Sequence, residues 1–374
     1  MDIETRMEWI KKGPTEELLT ENRIKEFLST GEKMKHYIGF EVSGLVHLGT
    51  GLVSGKKIAQ LQKAGIETEV FIADWHAWIN NKLGGDFKSI NEAAGYFKDA
   101  LWISIKVMGG DPSKTKFVLG SDLYHNNDDY WKTVMDISKN LTVSRVKRAI
   151  TIAGRAEGES VNFAQLIYPA MQVADIFAQS IHLPHGGMDQ RKAHVIAIDV
   201  ADKIKFNQLK IKGEVVKPAA IHQSLIMGLQ KPPIYPVPED KIKDVIKSMK
   251  MSKSKPKTAV FIHDKPEQIK AKLKSAFCPA KDVSYNPVLN WVEHLAEFPF
   301  KVERSEKFGG TVEYEKFDDL KSDFRAGKLH PADLKNAAAN YLIKLLEPVR
   351  KHFSSGEAKR NKDIMEAAVR KAYS

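Results

Sequence analysis

Two segments combine residue types suited to handling a polyphosphate. Lys250-Met251-Ser252-Lys253-Ser254 sets two ammonium groups three residues apart among small hydroxyl side chains, with Lys241, Lys243, Lys247, Lys255 and Lys257 around them. Lysine is a mobile point charge, so such a loop can close on a triphosphate and follow a departing phosphate. A lysine-rich run also reads as a solvated linker, and the order of residues gains force only with a partner segment. About 200 residues earlier, His47-Leu48-Gly49-Thr50 follows a predicted strand and Ser43-Gly44, and opens a predicted helix. An imidazole, a glycine and the free N–H groups of a helix start make a pocket for a nucleotide and its phosphates.

Other segments supply polar groups in apolar settings. Tyr168, Gln172 and Asp175 fall at i, i+4 and i+7 of a helix that otherwise reads Ala170, Met171, Val173, Ala174, Ile176 and Phe177. An ionisable Asp175 on that face needs a partner, because burying an unpaired carboxylate is costly. It reads equally as a structural carboxylate capping a neighbouring element. Gly186-Gly187-Met188-Asp189-Gln190-Arg191 supplies a turn, with Asp189 as the cap of a following helix. Asp74-Trp75-His76-Ala77-Trp78 reads as an acidic, aromatic loop at a strand end, where ligands of doubly wound sheets gather.

The elements that must position these groups alternate. Tyr37–Phe40, Glu67–Ala73 and Lys116–Leu119 read as strands, separated by helices over about 47–63 and 96–108. That order predicts an α/β fold with a doubly wound, Rossmann-like parallel sheet. A charged helical segment covers 1–34, the Rossmann-like domain 35–255, with a helical insertion at about 125–160. Pro169 reads as the opening of a helix and Ile181-His182-Leu183 as a strand. From Lys210 to Lys257 the texture is loops. Beyond it, helical periodicity over 266–277, 289–298, 317–326 and 331–353 predicts a mainly helical domain, 256–374, ending in a short charged tail.

The His47–Thr50 and Lys250–Ser254 segments together resemble the class I aminoacyl-tRNA synthetases, whose HIGH and KMSKS motifs bind ATP and stabilise adenylate formation. Leu48 stands for isoleucine, and Thr50 stands where a second histidine is common. With Tyr37-Ile38-Gly39-Phe40-Glu41, Tyr168–Asp175 and Gly186–Arg191, the chain is similar to tyrosyl-tRNA synthetases of the archaeal and eukaryotic type, from about Tyr37 to Phe353. The resemblance implies that Tyr37 and Asp175 hydrogen-bond the phenol of L-tyrosine, and that Tyr168, Gln172 and Gln190 hold its ammonium group. It implies catalytic roles for His47, Gly49, Lys250 and Lys253, and ATP contacts from these and from Thr50, Met251, Ser252 and Ser254. Phe308 would stack on an anticodon base that His330 and Asp333 contact. Arg148, Arg191 and Lys192 are candidates for the acceptor end of tRNA(Tyr), or a solvated basic face. ATP with Mg²⁺ is the implied substrate, with no tightly bound cofactor and no zinc, and a homodimer is implied, joined through helices between Tyr130 and Arg155.

Composition narrows the alternatives. The 374 residues carry 58 Lys+Arg against 47 Asp+Glu, a formal charge of +11 that suits a polyanionic partner. One cysteine, Cys278, forms no internal disulfide and no cysteine zinc cluster; it reads as a buried small side chain. No uncharged apolar run reaches the ~18–20 residues that span a bilayer, and Met1–Arg6 lacks the pattern of a signal peptide, so a cytoplasmic location is expected. Three rivals remain: a tryptophanyl-tRNA synthetase, a non-catalytic RNA-binding relative, and a nicotinamide-dependent oxidoreductase. The last would carry GxGxxG where this chain has Glu41-Val42-Ser43-Gly44.

Overall fold

The computed structural model describes residues 1–155, 158–253 and 255–373, excepting the side chains of Lys243 and Lys247. Two compact units group the chain as Met1–Gly44, Lys56–Ser224 and Arg360–Ser374, and as Leu45–Gly55 and Leu225–Lys359. This grouping is not a cut in sequence order at Lys255. The His47 segment belongs with the Lys250 loop, and the tail belongs with the first unit.

The first unit is built on a six-stranded sheet: β1 (Thr15–Leu19), β2 (Lys35–Glu41), β3 (Glu67–Ala73), β4 (Thr115–Leu119), β5 (Leu183–Gly187) and β6 (Ala220–Gln223). Their order is β1-β6-β5-β2-β3-β4. All neighbours are parallel except β1, which runs antiparallel to β6. In β3 every residue after Glu67 is buried, as expected for a parallel strand covered on both faces. One apolar cluster joins Tyr37 and Phe71 to Tyr130, Val134, Ile137, Val173, Ile176, Ile196 and Val200. Another gathers Met7, Ile10, Ile24, Phe27, Leu61, Leu183 and Ile221. Each fully buried aliphatic or aromatic side chain contributes about 1.5–3 kcal/mol.

Several predicted elements are corrected. Residues 74–78 form the start of a helix, Asp74–Ile79, not a loop. The Asp74 carboxylate receives Trp75 N at 2.9 Å and Ser121 N at 3.1 Å, which anchors that turn. Pro169 lies inside the helix Phe163–Ala178, which opens instead on a capping box: Asn162 Oδ1 accepts from Gln165 N, and Gln165 Oε1 from Asn162 N, each at 3.0 Å. Asp189 sits in a 3₁₀ turn, Met188–Gln190, ahead of the helix Arg191–Val200. The strand expected at 181–183 runs from Leu183 to Gly187. Gly186 is needed there because a Cβ would meet the Gln190 Cβ at 2.7 Å. The tail is helix Gly356–Tyr373; Asn361 donates to Asp99 (2.8 Å) and Lys371 pairs with Asp86 (2.9 Å).

Lys57 ties the N-terminal helix Ile3–Lys11 into this unit. Its side chain is fully buried, and its ammonium donates to Trp9 O (3.1 Å), Ile10 O (2.8 Å), Lys12 O (3.0 Å) and Gln60 Oε1 (2.8 Å). These are mostly carbonyls that a helix end leaves without partners. Lys57→Met should therefore lower the unfolding free energy by about 3 kcal/mol or more, read from the urea midpoint.

The second unit is mainly helical. Pro266–Ser275 packs on Pro331–Leu345, and Pro287–Leu295 lies beside the same helix. Proline opens all three, where its missing N–H costs nothing. The predicted helix over 331–353 breaks at Leu346, because Pro348 begins a second helix, Glu347–His352. Trp291, 1% exposed, donates its indole N–H to Met227 O at 2.7 Å and fixes the chain entering the lysine loop.

Candidate active site

In the second unit the histidine- and lysine-bearing segments are each held by a bridge of backbone hydrogen bonds. Leu48 N donates to Val260 O at 3.0 Å and Ile262 N to Val46 O at 3.0 Å, so His47 lies in a bridge with Phe261. Lys250 forms a bridge with Met227, and Met251 N donates to Ile226 O at 2.8 Å. The Met251 side chain is 4% exposed and works as an anchor of the loop. Ser254 lies outside the described residues. The predicted helix from His47 begins as a π-helical turn, Gly49–Val53, that leads into the helix Ser54–Lys63.

His47 has a definite tautomer. Its Nδ1 accepts from Gly49 N at 3.1 Å and Thr50 N at 3.3 Å, so the proton sits on Nε2, 3.4 Å from Thr50 Oγ1. Burial, with Lys253 and Lys250 adding to it, pushes His47 down to about 3. The ring is therefore a neutral donor at physiological pH, and the positive charge of the site resides on the lysines. A side chain at Gly49 would press on the His47 ring and on Ile226, each at 3.2 Å.

The first unit holds a cluster of polar side chains inside its core. Asp175, 1% exposed, receives two hydroxyls on Oδ1: Tyr124 at 2.9 Å and Tyr130 at 3.0 Å. Its Oδ2 lies 3.7 Å from His76 Nε2, a buried atom without a hydrogen-bond partner among the described residues. Burial pushes Asp175 up to about 8, against the lowering effect of the two tyrosine bonds. Tyr37, 3% exposed, packs edge-on to Phe71, and burial and Asp175 raise its phenol well above the usual range. Among the described residues no hydrogen bond joins Tyr37 directly to Asp175.

The other polar groups of that helix are also placed. Tyr168 donates to Glu41 at 2.9 Å, and Glu41 in turn accepts from Asn80 at 3.0 Å. The Tyr168 and His76 rings meet edge to face at 4.6 Å. Gln172 Nε2 donates to Gln190 Oε1 at 3.0 Å, and Gln190 Nε2 to Ile152 O at 3.1 Å. That leaves Gln172 Oε1 buried and, among the described residues, unpartnered, an acceptor suited to an ammonium group. Tyr124, Tyr130, Glu41 and Asn80 were not assigned roles from the sequence. Tyr124 and Tyr130 lie in different helices, Gly120–Tyr124 and Asp128–Lys139, so no helical spacing could join them to Asp175.

The RNA candidates fall at two surfaces. In the second unit Phe308 is 62% exposed at the end of a 3₁₀ turn, Glu306–Phe308. Arg304 donates to Gly310 O and to Lys328 O, both at 2.9 Å, and so ties that turn to the chain just before His330. His330 caps the helix Pro331–Leu345 through Ala332 N at 3.1 Å, and Asp333 lies in its first turn. In the first unit Arg148, Arg191 and Lys192 are exposed; Lys192 donates to Arg148 O at 2.6 Å and Arg191 pairs with Glu17 at 2.9 Å. Cys278 is only partly buried. Among the described residues no three His, Cys, Asp or Glu side chains are grouped to hold a metal, and no helix is long and apolar enough to cross a membrane.

A parallel sheet with a buried acid held by tyrosine hydroxyls, and a His-x-Gly turn and a lysine loop each pinned by backbone bridges, match a known class. The family model for tRNA synthetases class I (W and Y) covers residues 29–347. A tyrosine–tRNA ligase of Thermococcus kodakarensis is 59% identical over 359 residues, 94% of this chain and 96% of that one. The crystal structure of tyrosyl-tRNA synthetase complexed with L-tyrosine from Pyrococcus horikoshii matches with a TM-score of 0.95 at 55% identity, covering 98% of this chain and 100% of that one. Tyrosyl-tRNA synthetase from Aeropyrum pernix matches at 0.81 and 38%, with 98% and 100% covered. The chain belongs to the class I aminoacyl-tRNA synthetases, and within them to the archaeal-type tyrosyl-tRNA synthetases.

Proposed function

We propose that this chain activates L-tyrosine with ATP, releasing pyrophosphate, and transfers the tyrosyl group from the adenylate to the 3′ end of tRNA(Tyr). The observation that carries the choice of amino acid is Asp175, a buried carboxyl group held by two tyrosine hydroxyls on one oxygen, whose other oxygen is left for a donor once the group is ionised. The substrate phenol is that donor, and Tyr37 completes its environment. Gln172 Oε1, Gln190 and Tyr168 take the ammonium group, with Glu41 and Asn80 holding Tyr168 in place.

The chemistry needs no protein nucleophile. Tyrosine's carboxylate oxygen attacks the α-phosphorus of ATP, and the bond to the pyrophosphate oxygen breaks. ATP enters with its Mg²⁺ as part of the substrate. Neutral His47 donates from Nε2, Gly49 leaves the His47 ring room to keep its place, and Lys250 and Lys253 carry the cationic charge that stabilises the departing pyrophosphate. Thr50 helps to orient His47, and Met251 and Ser252 shape the loop. In the second step a terminal ribose hydroxyl of tRNA attacks the adenylate carbonyl and AMP leaves.

Phe308, His330 and Asp333 read the anticodon; Arg148, Arg191 and Lys192 meet the acceptor end. Met135 and Val143, 52% and 66% exposed, supply apolar surface on the helices between Tyr130 and Arg155 through which two copies would join as a homodimer. A cytoplasmic setting accords with these partners. Charging of a tRNA(Tyr) transcript with labelled tyrosine tests the whole reading: ATP-dependent, acid-precipitable tyrosine is the expected product. Failure to charge, with adenylate formation intact, would remove the tRNA half of it.

A further inference from the structure

Glu17, on the edge strand β1, terminates a chain of hydrogen bonds that no step above uses. Its two carboxylate oxygens accept the Arg191 Nε–H at 3.0 and 2.9 Å, and Oε2 also accepts from His222 Nδ1 at 2.8 Å. Behind His222, on β6, His194 Nδ1 lies 2.9 Å from His222 Nε2, with the two rings stacked at 5.0 Å. His194 and His222 are 1% and 0% exposed, and burial holds both below the ordinary histidine range.

Those facts determine the protons. A carboxylate only accepts, so His222 carries its hydrogen on Nδ1 and, being neutral, offers Nε2 as an acceptor to His194 Nδ1–H. The chain of donors therefore starts on the helix Arg191–Val200 at His194, passes through β6, and ends on Glu17. Glu17 then closes the ring on the same helix at Arg191. Although burial works to raise it, the bonds to Arg191 and His222 hold Glu17 below the usual carboxylate range.

The grip on Arg191 is specific. The carboxylate takes only Nε, and among the described residues neither Nη group of Arg191 has a hydrogen-bond partner, while the side chain is 45% exposed. Two free Nη groups in a fixed plane are the fork that engages paired acceptors, whether phosphate oxygens or a base edge. We propose that Glu17 is a positioning residue for the tRNA step, holding the Arg191 guanidinium by Nε, with His222 and His194 as its backing, so that both Nη groups are pre-oriented for the acceptor end. This rests on reading the chain as a tyrosyl-tRNA synthetase with Arg191 at the acceptor end. Orienting the fork in advance lowers the ordering cost of binding.

The test compares Glu17→Ala, Glu17→Gln, Arg191→Ala and the double variant Glu17→Ala/Arg191→Ala in tyrosine-dependent pyrophosphate exchange and in tRNA charging. Glu17→Ala should raise the KM for tRNA about tenfold, with kcat for charging and both substrate KM values in exchange within about twofold. Glu17→Gln, which still accepts from His222 but loses its charge, should fall between, and serves alone should the alanine variant not fold. The double variant should have no higher a KM for tRNA than Arg191→Ala, because Glu17 then has nothing to position. Additive losses would overturn the assignment by making Glu17 an independent contact. A raised tyrosine KM in exchange would overturn it by placing the effect on neighbouring Gln190. Absence of tyrosine-dependent exchange in the unaltered chain is a separate failure, of the functional reading itself.

Discussion

Lys253→Ala should slow tyrosine-dependent pyrophosphate exchange by about 10²–10³-fold, the usual cost of removing one preorganised group from a developing charge. Tyrosine affinity, read by equilibrium binding without ATP, should stay within about twofold. The split follows from where the charge resides. His47 is held neutral, at about 3, by burial and by the two lysines, so it cannot compensate for a lost ammonium. The loop itself should persist, because Met251 anchors it through Ile226 O and a buried side chain, not through Lys253. A variant that bound tyrosine poorly yet exchanged at the normal rate once saturated would contradict this assignment.

Asp175→Asn should reduce kcat/KM for tyrosine in the same assay by about 10²-fold or more, near 3 kcal/mol, and compress the preference for tyrosine over phenylalanine by a similar factor. An asparagine oxygen can still accept from Tyr124 and Tyr130. Its NH₂ group then occupies the Oδ2 position, a donor facing the substrate's own donor. Phenylalanine never used that bond, so its rate should change little. The same carboxyl links stability to pH. Burial pushes it up to about 8 in the folded, ligand-free pocket from an ordinary 3.8, so its contribution falls as pH rises from about 4 to 8. Asp175→Asn should flatten the urea midpoint over that window, and an unchanged slope would count against the burial of a lone carboxyl here.

How much of this was legible depended on whether the contact was local. Tyr168, Gln172 and Asp175 could be read together because a helix repeats every 3.6 residues, and each makes a polar contact inside the first unit. The hydroxyls that occupy Asp175 could not, since Tyr124 and Tyr130 come from separate helices that only the tertiary fold joins. The His47 and Lys250 segments were recognisable by residue type, but the pairing of the first with Val260 and Ile262, and of the second with Ile226 and Met227, has no periodic trace. Among the elements, β3 announced itself as an apolar run, whereas β1, Thr15–Leu19, is written in residues that favour a helix and gains its strand form by pairing with β6. The helix at Asp74 was hidden by its tryptophans, and Pro169 misled because a capping box that starts seven residues earlier, at Asn162, outweighs it.

The most direct measurement is exchange of labelled pyrophosphate into ATP without tRNA, with tyrosine, phenylalanine and tryptophan tested side by side. The geometry around Asp175 predicts exchange with tyrosine and little with the other two. Exchange with tryptophan in place of tyrosine would contradict the phenol-reading role of Asp175, and silence with all three from folded protein would contradict adenylate formation altogether.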